Sequence, residues 1–340
     1  ARGAHARRRC ACEAVGRGAG WAHTAPVRIA HLSDLHLLSL EGAVPFRLLN
    51  KRLTGYINIR FRRRAIHKPH AVHAAAKEIR RLGIDHVVIT GDVSNLALER
   101  EFVLVRSFLQ RDLGLPPERV SLVPGNHDAY TKGAHRSQRF SQYFAPYLRS
   151  DLPLDDAAKR DDGAAGGDGG GSAFPFVHLR GPVAFIGLST AWPRPPLVAS
   201  GRLGPAQLRA LERVLSHPEV RRRTPIVLQH HPFHNPASRA KTLLEGLGDA
   251  AAEGRLLRHV SRGLLLHGHL HRRIHRKLHT ERGHIDAVGA ASASLLHESD
   301  ERMAGFNVYE VDDAGAIRGI TSHRFVPGQE AFREVPVPER

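Results

Sequence analysis

Five short apolar runs in this chain each end in a polar motif, and that recurrence constrains the fold more than any other feature. Val27-Arg28-Ile29-Ala30-His31-Leu32 leads into Ser33-Asp34-Leu35-His36. Asp85-His86-Val87-Val88-Ile89-Thr90 leads into Gly91-Asp92, and Val120-Ser121-Leu122-Val123 into Pro124-Gly125-Asn126-His127-Asp128. Pro225-Ile226-Val227-Leu228-Gln229 leads into His230-His231-Pro232, and Gly263-Leu264-Leu265-Leu266 into His267-Gly268-His269-Leu270-His271. Short apolar runs closed by turn residues read as buried strands. Helical spacing falls between them at 70–82, 98–113 and 205–215, the last opened by Pro205 after Gly204. Strands alternating with helices predict an α/β fold. Open α/β sheets bind ligands at the carboxyl ends of their strands, so five such ends can converge on one site.

Within Asp34-Leu35-His36, residues two apart point the same way if the strand persists, and His269 and His271 can face a common centre for the same reason. Glycines at 91, 125 and 268 let the backbone turn sharply. Later segments read as strands at 285–288, 305–311 and 317–323, with a hairpin over 174–189 turning at Gly181-Pro182. Residues 1–24 are rich in Ala, Gly and Arg without periodicity and read as a disordered basic arm. One domain is expected over 25–326, with a flexible loop at 158–172 and a tail at 327–340.

The motifs gather two carboxylates, an amide oxygen and several imidazoles. Hard oxygens and imidazoles suit two divalent cations such as Mn, Fe, Zn or Co. Paired cations can clamp a phosphoryl group and acidify a water between them. Asp34 and Asp92 bring two negative charges against four positive ones, which leaves the pair attractive to an anionic substrate.

In these motifs and their order the chain resembles the calcineurin-like metallophosphoesterase superfamily, in particular its bacterial cyclic-nucleotide-phosphodiesterase-like branch. The resemblance runs from about residue 27 to 323. It implies a four-layer αββα sandwich, two mixed β-sheets flanked by helices. It also implies a phosphoesterase that cleaves a phosphodiester or pyrophosphate by attack of a metal-bound hydroxide. Carried over by position, Asp34, His36 and His271 hold one metal and Asp92 bridges. Asn126, His230 and His269 hold the second metal, and His127 gives a proton to the leaving oxygen. Many relatives have Asp three residues after the bridging Asp, where it orients that histidine. Here the position is Asn95, and a neutral partner leaves His127 less basic.

The chain has 24 histidines, most of them necessarily ordinary. His231 is read as lining the site and His267 as packing beside it. His31, His67, His70, His234 and His275 are read as structural, with His234 the first exception to consider. Residues 45–64 interleave Leu49, Leu53, Tyr56, Ile57 and Phe61 with Lys51, Arg52, Arg60, Arg62, Arg63 and Arg64. The preferred reading is a cap that presents Arg to a substrate phosphate. The alternative is a basic amphipathic element on an anionic membrane surface or acyl chains. The expected substrate is a small or lipid-linked phosphate ester; the resemblance extends in kind to relatives that cleave the pyrophosphate of UDP-diacylglucosamine and hold acyl chains with insertions.

Two further functions stay open. The net charge of +17 could serve a nuclease, although 6% aromatic residues provide little for base stacking. A non-catalytic scaffold on the same fold is the other. The only cysteines, Cys10 and Cys12, are too close for an easy bridge, which fits a reducing compartment. No run of about 18 apolar residues is present. The expected location is cytoplasmic, with peripheral membrane contact as the alternative.

Overall fold

A computed structural model describes residues 26–38, 67–129, 133, 137–154, 173–195, 198–233, 242 and 244–340. The basic arm at 1–24, the insertion at 45–64, the loop at 158–172 and His234 lie outside the described residues.

Twelve strands form two six-stranded sheets. The first has the order β12-β11-β10-β1-β2-β3, with β1 Val27–Leu32, β2 His86–Ile89, β3 Val120–Leu122, β10 Gly305–Val311, β11 Ile317–Val326 and β12 Ala331–Pro336. The second has the order β4-β5-β6-β7-β9-β8, with β4 Phe176–Arg180, β5 Val183–Gly187, β6 Thr224–Leu228, β7 Arg262–His267, β8 Ile274–His279 and β9 His284–Gly289. Both sheets are mixed. β1, β2 and β3 run parallel, as do β5, β6, β7 and β9, while the remaining pairings are antiparallel.

The apolar runs are continuous because each central strand is covered on both faces. Within β6, Ile226 and Leu228 face the first sheet while Val227 faces outward. β7 repeats this with Leu264 and Leu266 inward and Leu265 outward. The inward residues pack with Ile29, Val88, Leu122 and Phe306 in one core.

Helices cover the outer faces. α1 (Pro69–Arg81) starts on proline and buries Val72, Ala75, Ala76 and Ile79 at helical spacing against the first sheet. α2 (Glu99–Ser107) adds Phe102 and Val105, then widens into a π turn over Phe108–Leu113 that ends at Gly114. α3 (Arg139–Phe144) packs its Phe140 and Phe144 against Phe102. On the second sheet, α4 (Pro205–Ser216) contributes Leu211 and Val214, and α6 (Ala250–Leu257) contributes Leu257; the short α5 (Pro218–Arg221) lies between them in the chain. The expected αββα sandwich is the observed one.

Residues 327–340, read from the sequence as a tail, carry β12. That strand pairs with β11 from Thr321↔Pro336 to Val326↔Ala331. Arg340 then donates its amide to the His275 carbonyl at 2.9 Å.

Candidate metal centre

The loops that follow β1, β2, β3, β6 and β7 meet at one end of the two sheets, and their backbone conformation is unusual. β1 stops at Leu32, so Asp34 and His36 do not share a strand face as expected. They converge through left-handed turns, with φ 51° at Asp34 and 46° at His36. Asp92 (49°), His269 (68°) and His271 (48°) adopt the same region. A non-glycine residue there costs on the order of 1 kcal/mol or more, and such residues gather where the surrounding structure overdetermines them. Here main-chain bonds between loops do so. The amides of Asp34, His36 and Leu37 donate to the carbonyls of Gly91, Asp92 and Val93 at 3.0, 3.0 and 3.1 Å. The Gly268 amide donates to the His230 carbonyl at 3.1 Å. Among the three motif glycines only Gly91 has positive φ, at 92°. Gly125 is needed for proximity, because a Cβ there would overlap the Asp92 carboxylate.

Two donor clusters result. In the first, Asp34 Oδ1 lies 3.0 Å from His271 Nε2 and 4.0 Å from His36 Nε2, and those two nitrogens are 3.4 Å apart. In the second, Asn126 Oδ1 lies 3.1 Å from both His230 Nε2 and His269 Nδ1, which are 3.3 Å from each other. Asp92 sits between them. Its Oδ2 is 3.3 Å from His230 Nε2, and one donor atom each of Asp34, Asp92 and His230 fall within 4.8 Å of one another. The structure thus brings together all seven residues expected to hold metal.

The donor chemistry fits a cation in each cluster. Facing imidazole nitrogens can share one proton at most, so lone pairs converge on each centre. Asp34 Oδ1 is buried and accepts no well-aligned hydrogen bond. Burial would lower His230, but the Asp92 carboxylate outweighs it and raises this imidazole to about 9. His269 is pushed to about 3, first by burial and then by the charge of His230. Asp34 falls to about 2: burial opposes ionisation, and the neighbouring His271 overcomes it. The centre therefore sets one protonated imidazole, that of His230, against two ionised carboxylates.

His127 stands beside the clusters, its ring 5.3 Å from that of His36. Its amide donates to Asp92 Oδ1 at 2.7 Å, and its Nδ1 donates to the backbone carbonyl of Asn95 at 2.8 Å. The Asn95 side chain does something else: its Nδ2 donates to the His36 carbonyl at 2.9 Å. The histidine's partner is neutral, as expected, but it is main chain and so independent of the side chain at 95.

Several supporting residues were not singled out by the sequence. Buried Asp128 accepts from the amides of Val93, Ser94 and Gly125 and from Ser94 Oγ, stapling the loop after β2 to the loop after β3. Burial first, and the Asp92 charge second, raise its carboxyl to about 7. Glu101 takes the amides of Asn95, Leu96 and Leu98. Ser292 Oγ donates to the Asp34 carbonyl at 2.7 Å. Asp128 had a signal, since it closes the Gly125-Asn126-His127-Asp128 motif. Ser292 had none.

The remaining histidines divide cleanly. His231 spends both ring nitrogens on Thr190 Oγ1 (2.8 Å) and the Ala199 carbonyl (2.7 Å), and packs 4.5 Å from the His269 ring. His267 contacts the Gly268 carbonyl at 3.1 Å. His31 bridges Tyr309 and Thr90, and His275 pairs with Asp286. His67, read as structural, instead lies with His36 and His271, with one donor atom of each within 4.8 Å of the other two.

The family model described as calcineurin-like phosphoesterase matches residues 27–273. Among solved structures, a dimetal phosphatase from Danio rerio is similar at 14% identity and a TM-score of 0.55, over 92% of this chain and 100% of that one. A purple acid phosphatase from yellow lupin (Lupinus luteus) seeds is similar at 11% identity and a TM-score of 0.55; 92% of this chain covers 53% of it. At these identities the likeness is one of fold. No match was found among curated protein sequences.

Proposed function

Because this chain belongs to the calcineurin-like phosphoesterase family, we propose that its paired donor clusters hydrolyse a phosphodiester or pyrophosphate bond, as in the cyclic-nucleotide-phosphodiesterase-like branch it resembles. The observation that carries the proposal is the Asp92 carboxylate lying between two sets of converging imidazoles. Asp34, His36 and His271 would hold one divalent cation, Asn126, His230 and His269 the other, and Asp92 both. When bound, the two cations supply charge neutralisation on phosphoryl oxygens and acidify water at neutral pH. Imidazole and oxygen donors are compatible with Mn, Fe, Zn or Co.

The protein's own groups supply the rest. With Nδ1–H committed to the Asn95 carbonyl, Nε2 of His127 is the atom that gains and releases the proton. It would protonate the leaving oxygen of the substrate. The amide of the same residue holds Asp92 Oδ1, so proton donor and bridging carboxylate move as one unit. Asp128 and Glu101 keep the loops beneath them in place through six backbone amides. The two ionised carboxylates would repel an anionic substrate until bound cations outweigh their charge.

The test is hydrolysis of bis-p-nitrophenyl phosphate against p-nitrophenyl phosphate by chelator-stripped protein refilled with Mn²⁺. Diester cleavage that returns with Mn²⁺ is the expected result. Monoester cleavage alone would overturn the diester assignment, and no cleavage of either by Mn²⁺-loaded protein would overturn the catalytic one. In the same assay Asp92→Asn should lose both ions and all measurable turnover; a fully loaded, active variant would remove Asp92 from the bridging position.

A further inference from the structure

We propose that His67 is an additional protein ligand to the cation on the Asp34 side, a role that rests on the two-cation reading above. His67 lies two residues before the first turn of α1. It is fixed there by main chain: it pairs antiparallel with Leu295, and the Lys68 amide donates to the Ser294 carbonyl at 2.8 Å. Its ring lies edge-on to His36 at 4.6 Å between centroids and to His271 at 5.7 Å. One donor atom from each of these three imidazoles lies within 4.8 Å of the other two, a spacing that a single cation can span.

The outer contacts of His67 are those of a ligand rather than of a packing residue. Its Nδ1 bonds Ser294 Oγ at 2.7 Å. Histidines that bind metal through one nitrogen characteristically hold the other in such a bond, which fixes tautomer and ring orientation. The same Ser294 Oγ also reaches the Asp34 carbonyl at 3.3 Å and Ser292 Oγ at 3.2 Å. One small hydroxyl network thus positions both Asp34 and His67.

One consequence follows. The Asp34-side cation would have three imidazoles and one terminal carboxylate, whereas the other has two imidazoles and an amide oxygen besides the shared Asp92. The first site would therefore favour nitrogen-loving ions such as Zn²⁺ or Co²⁺ over Mg²⁺ or Mn²⁺ more strongly than the second.

The experiment is Co²⁺ titration of metal-free protein, read by bound metal per chain and visible absorption, for wild type, His67→Ala and His67→Gln. Melting of the metal-free forms serves as the folding control. The expected result is two Co²⁺ in wild type. One of the two should be weakened about tenfold or more in His67→Ala with its absorption changed, and the loss should be smaller in His67→Gln, whose amide oxygen can still donate. Two Co²⁺ bound with wild-type affinity and unaltered absorption in both variants would overturn the assignment of His67 alone. A wild-type chain that binds no Co²⁺ would overturn the two-cation reading and this inference with it.

Discussion

His127 donates its ring proton to a main-chain carbonyl, and this changes what position 95 can do. A carboxylate at 95 would not meet the histidine, because the side chain there faces the His36 carbonyl. Asn95→Asp should therefore lower activity rather than raise it. It removes a donor to that carbonyl and sets a charge against it, at a cost of about 1–3 kcal/mol for a buried acceptor left unpaired. A faster Asn95→Asp enzyme, assayed on the same diester, would show that the side chain does reach His127. His127→Ala should keep both cations by metal analysis yet lose rate by about 100-fold or more, most on substrates with poor leaving groups. A parallel loss of metal would move His127 from proton donor to ligand. Much of this scale was legible in the sequence, because each donor sits in a short motif at a strand end. The left-handed turns were not, since Asp34, His36, Asp92, His269 and His271 carry ordinary side chains and bonds between distant loops hold the turns at Asp34, His36 and Asp92. His67 was hidden for a related reason: its neighbours in space, His36 and His271, come from distant parts of the chain.

Among the elements, most of the readable strands are buried along their length, although β11, read at 317–323, is half-buried over much of that stretch. β8 and β12 escaped notice because each is an outermost strand with a polar text, Ile274-His275-Arg276-Lys277-Leu278-His279 and Ala331-Phe332-Arg333-Glu334-Val335-Pro336. Such edges need no continuous apolar run, and charge on them discourages pairing with other chains. The join between α6 and β6 carries a testable cost. Glu253 is fully buried on α6, with Oε2 3.4 Å from Gln229 Nε2 and Oε1 without a donor. Burial raises its carboxyl from 4.5 to about 8. Between those values the folded chain keeps a proton that the unfolded chain has released. Stability must therefore fall as pH rises through that window, by at most about 1.4 kcal/mol per pH unit. Glu253→Gln carries no such proton, and its amide can donate to Gln229 Oε1, which is also buried without a donor. The variant should melt a few degrees above wild type near pH 9 and converge with it near pH 5. A gap independent of pH would assign the difference to packing instead.

At the scale of the whole molecule, an arginine-lined cavity and the donor clusters lie, among the described residues, at opposite ends of the second sheet. Arg221, Arg222, Arg255, Arg262 and Arg282 line a cavity of about 800 Å³ at the amino ends of β6 and β7, with Glu212 the acidic group on its wall. The donor clusters lie at the carboxyl ends of the same strands. Strands of five and six residues separate the two by roughly 15 Å at about 3.3 Å per residue. A polyanion held in that cavity would not thereby be presented to the metals. Short duplex DNA should accordingly bind weakly at low salt, dissociate by about 0.2 M salt, and leave hydrolysis of a small diester unchanged. Competition between the DNA and the diester would bring the nuclease reading back. Among the described residues no helix is long and apolar enough to cross a membrane.

The main-chain bonds that hold the left-handed turns at Asp34, His36 and Asp92 run from one loop to another and use none of the side-chain atoms that would grip an ion. The work of shaping the cradle is thus completed when the chain folds, not when it is loaded. Charging and discharging the protein becomes an exchange of solvent shells around a stiff frame, with little rearrangement to slow it. Among the ions its donors accept, such a frame would exchange one for another without unfolding, and its occupancy would follow their abundance as a gauge follows pressure.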